Sequence, residues 1–237
     1  MTAPLYLTRA TLRRDGSVAA LLPLLLGDDR AGNTPGAPAN QAGHHLVWSL
    51  FADDPDRRRD FLWRETAPGT FLILSARPPE DRHALFQIDP PKPFAPALSD
   101  GDRLRFSLRA NPVVRKRPTP DAPHSTKHDV VMAALRDLPA GSRARPRDAA
   151  IRDEGFAWLD RQGTKAGFSV TQDEVGIDGY RQHRIPRGGK ARDLAFSTLD
   201  FEGLLTVRDP AALPGAIAKG FGSAKAFGCG LLLVRRA

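Results

Sequence analysis

Residues 103–109 read RLRFSLR, and few stretches leave a folding chain less choice. Leu104, Phe106 and Leu108 fall on one side and Arg103, Arg105, Ser107 and Arg109 on the other, the period-two pattern of a strand with one buried face. Residues 5–12, LYLTRATL, alternate in the same way. Between these two stretches, Leu46, Val47, Leu50 and Phe51 stand at helical spacing, and 53–55 ends that helix. RRDFLWRET and GTFLILSAR flank Pro68 and Gly69, which predicts two strands around a tight turn. Residues 82–88 give a weaker element, and 27–41, rich in Gly, Pro and Asn, a long loop. Strand, helix, strand, strand, element, strand is the ferredoxin-like order.

The second half repeats it. Residues 147–163 are amphipathic, with Ile151, Phe156 and Leu159 on one face and Gly163 as a stop. Residues 167–177 and 195–207 are strand candidates around a Gly/Arg-rich hairpin tip at 187–190. Asp209 and Pro210 open a further helix that ends at Gly220, and the apolar run 231–234 is the last strand. Between the halves, 112–128 is proline-rich, basic and poor in core residues, the composition of a linker. The expected architecture is α+β: two tandem ferredoxin-like (RRM-like) domains, each an antiparallel sheet with helices on one face. They span 1–117 and 131–237, joined by a basic linker at 118–130.

Charge and cysteine narrow the setting. The net charge is +8, and residues 101–150 hold 11 Lys/Arg against 5 Asp/Glu. A clustered excess of this kind is the footprint of a polyanionic partner. One cysteine, Cys229, cannot staple the fold, which suits a reducing cytoplasm. Arg13 and Arg14 before VAALLPLLLG imitate the start of a secretion signal. Asp15 and the following DDRAGN break that pattern, and the apolar run is too short for a bilayer, so no membrane role is expected. The six histidines lack closed metal-ligand spacing; no metal or cofactor is expected.

Two clusters carry the candidate chemistry. Gly220, Gly222, Gly228 and Gly230 alternate with Phe221, Phe227, Lys219 and Lys225 just before the last strand. Glycines let a backbone approach a bulky anion, and the lysines add charge. Lys219, Gly220, Gly222 and Lys225 are therefore RNA-binding candidates. So are Arg109, Arg115, Lys116, Arg117, Lys127 and His128, which run from the strand end into the basic segment; arginines and shape suit an RNA stem with its dense phosphates. His44 and His45 open the first helix. Histidine titrates near neutral pH and can move a proton.

Four stretches together resemble the CasE family, the precursor-RNA endoribonucleases of type I-E CRISPR systems. They are LYLTRATL; HHLVWSLFADDPDRRRDFLWR; PPKPFAPALSDGDRLRFSLRANP; and FEGLLTVRDPAALPGAIAKGFGSAKAFGCGLLLV. The resemblance implies metal-independent cleavage of the CRISPR repeat RNA hairpin at its 3′ base. It also implies retention of the product hairpin and partnership with the other subunits of the complex called Cascade. The family's catalytic histidine, four residues before a Trp and seven before a Phe, falls on His44, with Trp48 and Phe51 fixing the register. His45 and Gln41 are candidate supporting residues; relatives often carry tyrosine where Gln41 stands. The implied reaction is attack of the upstream 2′-hydroxyl on the scissile phosphate, with His44 as base or acid. The products are a 2′,3′-cyclic phosphate and a 5′-hydroxyl. The rival readings are a non-catalytic subunit that binds structured RNA and, disfavoured by the basic middle segment, a protein-interaction scaffold.

Overall fold

The computed structural model describes residues 4–15, 37–54, 56–117, 124–185 and 193–237. The expected loop up to residue 36, the centre of the expected linker and the hairpin tip at 187–190 lie outside the described residues. Two antiparallel sheets carry the fold, with few helices.

The first sheet is built from β1 (Tyr6–Leu12), β2 (Phe61–Ala67), β3 (Thr70–Ser75) and β4 (Phe86–Ile88) in the order β2-β3-β1-β4, with β5 (Lys92–Pro93) also on β1. Helix α1 (Ala37–Ser49) follows β1. It starts within the stretch read as loop, so 37–41 is helical. Alternation in β2 and β3 divides their side chains between two cores. Phe61, Trp63, Phe71 and Ile73 pack with Leu46, Val47, Leu50 and Phe51 around α1. Leu62 and Leu74 belong to the core of the second sheet. Burying a side chain of this size contributes roughly 1.5–3 kcal/mol, so the two halves are held together by shared apolar packing as well as by the chain.

The second sheet contains β6 (Arg103–Ala110), β9 (Phe168–Ile185), β10 (Leu194–Val207) and β11 (Leu232–Arg236) in the order β11-β6-β10-β9. The strand expected to complete the first unit, β6, lies here instead. It pairs with β10 from Leu199↔Ala110 to Thr206↔Arg103 and with β11 on its other edge. The alternation in 103–109 requires one buried face but does not say against what. Leu104, Phe106 and Leu108 share their core with Trp158 and Leu159 of α3 (Ala144–Ala166) and with Leu213 and Ile217 of α4 (Ala212–Lys219). The change of sheet therefore falls between Pro93 and Arg103, ahead of the expected linker.

The linker reading is also corrected at both ends. Residues Val113–Lys116 (β7) and Thr126–Asp129 (β8) pair as a two-stranded ribbon. The ribbon leads into the short α2 (Val130–Ala134), whose Val130 and Val131 are buried. Helix α3 passes through Gly163 and ends at Gly167, a left-handed cap. Asp209 does open α4, its Oδ1 accepting from the N–H groups of Ala211 and Ala212.

Candidate active site

Helix α1 presents His44 from the half-buried end of its apolar stripe. The His44 ring stands edge-on to Trp48 at 6.2 Å and beside Phe227 at 5.7 Å. Its Nδ1 lies 2.9 Å from the carbonyl oxygen of Ala226, in the glycine-rich loop between α4 and β11. A carbonyl only accepts, so Nδ1 carries the hydrogen and the neutral ring keeps its lone pair at Nε2. Among the described residues nothing bonds Nε2. Burial pushes the His44 pKa below the ordinary imidazole value. The Ala226 bond opposes that shift, while the charges of His45 and Arg59 add to it.

The loop is held in place from two sides. Trp63 Nε1 donates to the same Ala226 oxygen at 3.3 Å. The indole passes between Gly43 and Gly228, where an added Cβ would come within 2.7 Å and 3.0 Å of ring carbons. Gly228 also has φ 76°, a backbone state that favours glycine. On the other side the loop is stitched to the end of β6. Gly230 N–H donates to Arg109 O, Phe221 N–H to Gly230 O and Ser223 N–H to Asn111 O. The RANP motif and the glycine motif are thus one structural unit. Gly220 and Gly222, expected to approach an anion, are also closely packed by the chain. The Gly220 N–H is taken by Ala216 and Ile217 carbonyls, and an added Cβ at Gly222 would lie 2.7 Å from Asn111 O.

Of the predicted residues, His44, His45, Lys225, Lys219 and Lys127 gather around this loop. Lys225 is half-buried and its pKa is lowered, first by burial and then by the charges of Arg59, Lys219 and Lys127. Lys127 donates to Ser223 Oγ at 3.3 Å, which brings the ribbon against the loop. Arg115 stands directly opposite Lys127 in that ribbon, and Lys116 and His128 occupy the alternate positions. Arg117 follows β7 and is exposed. Gln41 lies on α1. Arg109 is set apart by its partner: its guanidinium pairs with both Asp200 oxygens at 2.7 Å.

The sequence reading missed three contributors. Arg59, one of three consecutive arginines, is half-buried beside the site. The Ala226 carbonyl has no side-chain signature. A row of rings continues outward from Phe227, which stacks on Phe196 at 5.2 Å; Phe196 in turn stacks on buried His183 at 4.8 Å. This row borders a cavity of about 760 Å³, lined also by Asn111, Lys127, Asp129 and Ser223. The buried Cys229 thiol is pushed up to about 12 by burial, far from a reactive thiolate. Among the described residues no group of three metal-ligating side chains occurs, and no helix is long and apolar enough to cross a membrane.

This arrangement has counterparts. The family profile described as CRISPR associated protein matches residues 5–236, and the class is that of the CRISPR-associated proteins. The chain is 30% identical over 195 residues to the CRISPR system Cascade subunit CasE of Escherichia coli K12, covering 80% of this chain and 88% of that protein. It is 34% identical over 156 residues to the CRISPR-associated endoribonuclease Cse3 of Thermus thermophilus, covering 62% and 63%. A solved structure of CRISPR endoribonuclease Cse3 bound to a 19 nt RNA superposes with a TM-score of 0.66 at 26% identity, covering 98% of this chain and 99% of that one. The chain belongs to the CasE (Cse3) family.

Proposed function

We propose that this protein is a metal-independent endoribonuclease that cuts CRISPR precursor RNA at the 3′ base of the repeat hairpin. It keeps the product hairpin and joins Cascade in the cytoplasm. The strand orders β2-β3-β1-β4 and β11-β6-β10-β9 support two ferredoxin-like units, the first with a single described helix. The observation that carries the reading is the His44 Nδ1 to Ala226 contact, which fixes the proton on Nδ1 and leaves the Nε2 lone pair of the half-buried neutral ring to accept one.

His44 serves as the base. Nε2 takes the proton of the upstream 2′-hydroxyl, the 2′-oxygen bonds to phosphorus, and the bond from phosphorus to the 5′-oxygen breaks. The departing 5′-oxygen takes a proton from water, leaving a 2′,3′-cyclic phosphate and a 5′-hydroxyl. Lys225 and Lys219 lie where the phosphate charge gathers, and fixed cations there favour the transition state over the ground state. Arg115, Lys116, Arg117, Lys127 and His128 on the ribbon hold the hairpin's phosphates. The likeness to an RNA-bound Cse3 supports the substrate class.

The test is incubation of the purified protein with a CRISPR repeat hairpin in EDTA, followed by end-group analysis. Cleavage at the 3′ base with a cyclic-phosphate end is expected. His44→Ala should slow it about 10²–10⁴-fold while leaving hairpin binding intact. Hairpin binding with no cleavage by the unaltered protein would establish the non-catalytic subunit instead.

A further inference from the structure

Arg59 is half-buried, two residues ahead of Phe61. The Phe61 ring is edge-on to Trp48 at 5.2 Å, and Trp48 in turn is edge-on to His44. Two carboxylates near Arg59 in sequence pair with other arginines: Asp60 Oδ2 accepts from Arg77 at 2.9 Å, and Asp53 pairs with Arg77 and Arg57, while Asp60 Oδ1 is buried with no hydrogen-bond partner. Among the described residues no carboxylate or carbonyl receives a hydrogen bond or ion pair from Arg59. The charge of Arg59 is felt at both His44 and Lys225, and burial works against its own charged form with no acid offsetting it. A half-buried guanidinium that opposes two neighbouring bases is an unfavourable arrangement in the free protein. An anion seated between the three groups reverses the sign of each interaction.

We propose that Arg59 is a catalytic residue: its guanidinium grips a non-bridging oxygen of the scissile phosphate beside His44. This rests on the nuclease reading above and adds a group to it. Arginine suits the task because its planar fork holds two oxygens at once and stays charged. As the 2′-oxygen bonds to phosphorus, negative charge grows on the non-bridging oxygens. A donor aimed there in a partly water-excluded site gains strength as the reaction proceeds. Lys225 supplies a second, more flexible charge from the glycine loop. Arg59 moves no proton; that work stays with His44.

The experiment is single-turnover cleavage at saturating protein, run with the unaltered chain, Arg59→Ala and Arg59→Lys. Hairpin affinity is measured in parallel on a repeat hairpin carrying a 2′-deoxy at the cleavage position. The expected result is a rate loss of ~10²–10³-fold for Arg59→Ala, a smaller loss for Arg59→Lys, and affinity within about threefold. Substrates with a single sulfur at either non-bridging position give a readout that mere folding would not move. One stereoisomer should be cut slowly by the unaltered protein, and that selectivity should shrink in Arg59→Ala. A saturating rate within threefold of the unaltered protein, or undiminished sulfur selectivity, overturns the role of Arg59 while the nuclease reading stands. Failure of the unaltered protein to cut the hairpin overturns both.

Discussion

His44 joins two statements about one ring: its tautomer is set by the Ala226 carbonyl, and its affinity for a proton is reduced by burial, His45 and Arg59. A base must be neutral to act, so the cleavage rate should rise with pH through the ring's pKa and then level. Because that pKa is lowered, the half-maximal point should fall below the ordinary value of about 6.5. A general acid would give the opposite limb, with rate falling as pH rises. Single-turnover rates across the acidic range distinguish the two. His44 is singled out in the sequence by the family resemblance, with Trp48 and Phe51 fixing the register. Arg59 is not, because Arg57, Arg58 and Arg59 are identical in sequence and only the fold separates them. Arg57 pairs with Asp53 and Asp54, Arg58 is exposed, and Arg59 is half-buried. The Ala226 carbonyl was illegible for a simpler reason: every residue has one.

At the level of elements, the β7–β8 ribbon sets Arg115 against Lys127. Like charges directly opposite in an antiparallel pair are destabilising; on the proposed function a bound phosphate offsets that cost. Arg115→Thr should leave the melting temperature unchanged or slightly raised, while weakening hairpin binding. Thermal unfolding and a filter-binding titration measure the two effects separately. The segment was read as a linker because its prolines and charges conceal two four-residue strands. Val113 and Val114 were too few to announce a sheet that forms only by pairing across the chain. Strand β6 was unmistakable as a strand yet assigned to the wrong neighbours. Period-two alternation reports that a face is buried, whereas its partners β10 and β11 lie some ninety or more residues downstream. The α4 start was legible because Asp209, just ahead of it, bonds the N–H groups of Ala211 and Ala212 locally, although the cap position itself falls on Ala211.

Across the whole molecule, the charges of Arg59, Lys127 and Lys219, from three separate parts of the chain, are all felt at Lys225 in the glycine-rich loop. Net charge and the basic middle segment point to a polyanion; which cations converge was decided by folding. Hairpin binding should therefore weaken steeply with salt, linearly in log–log form, and Lys219→Ala should lower the slope by about 1. Affinity titrations at several salt concentrations read both quantities.

The imidazole and the carbonyl that orients it are 182 residues apart. During translation the first emerges from the ribosome long before the second has been made. A nascent chain that displays α1 without the glycine loop has a histidine with no fixed tautomer and none of the cations supplied by Lys219 and Lys225. On the proposed function, cutting ability is thus withheld until the glycine-rich loop has been made and has folded against α1.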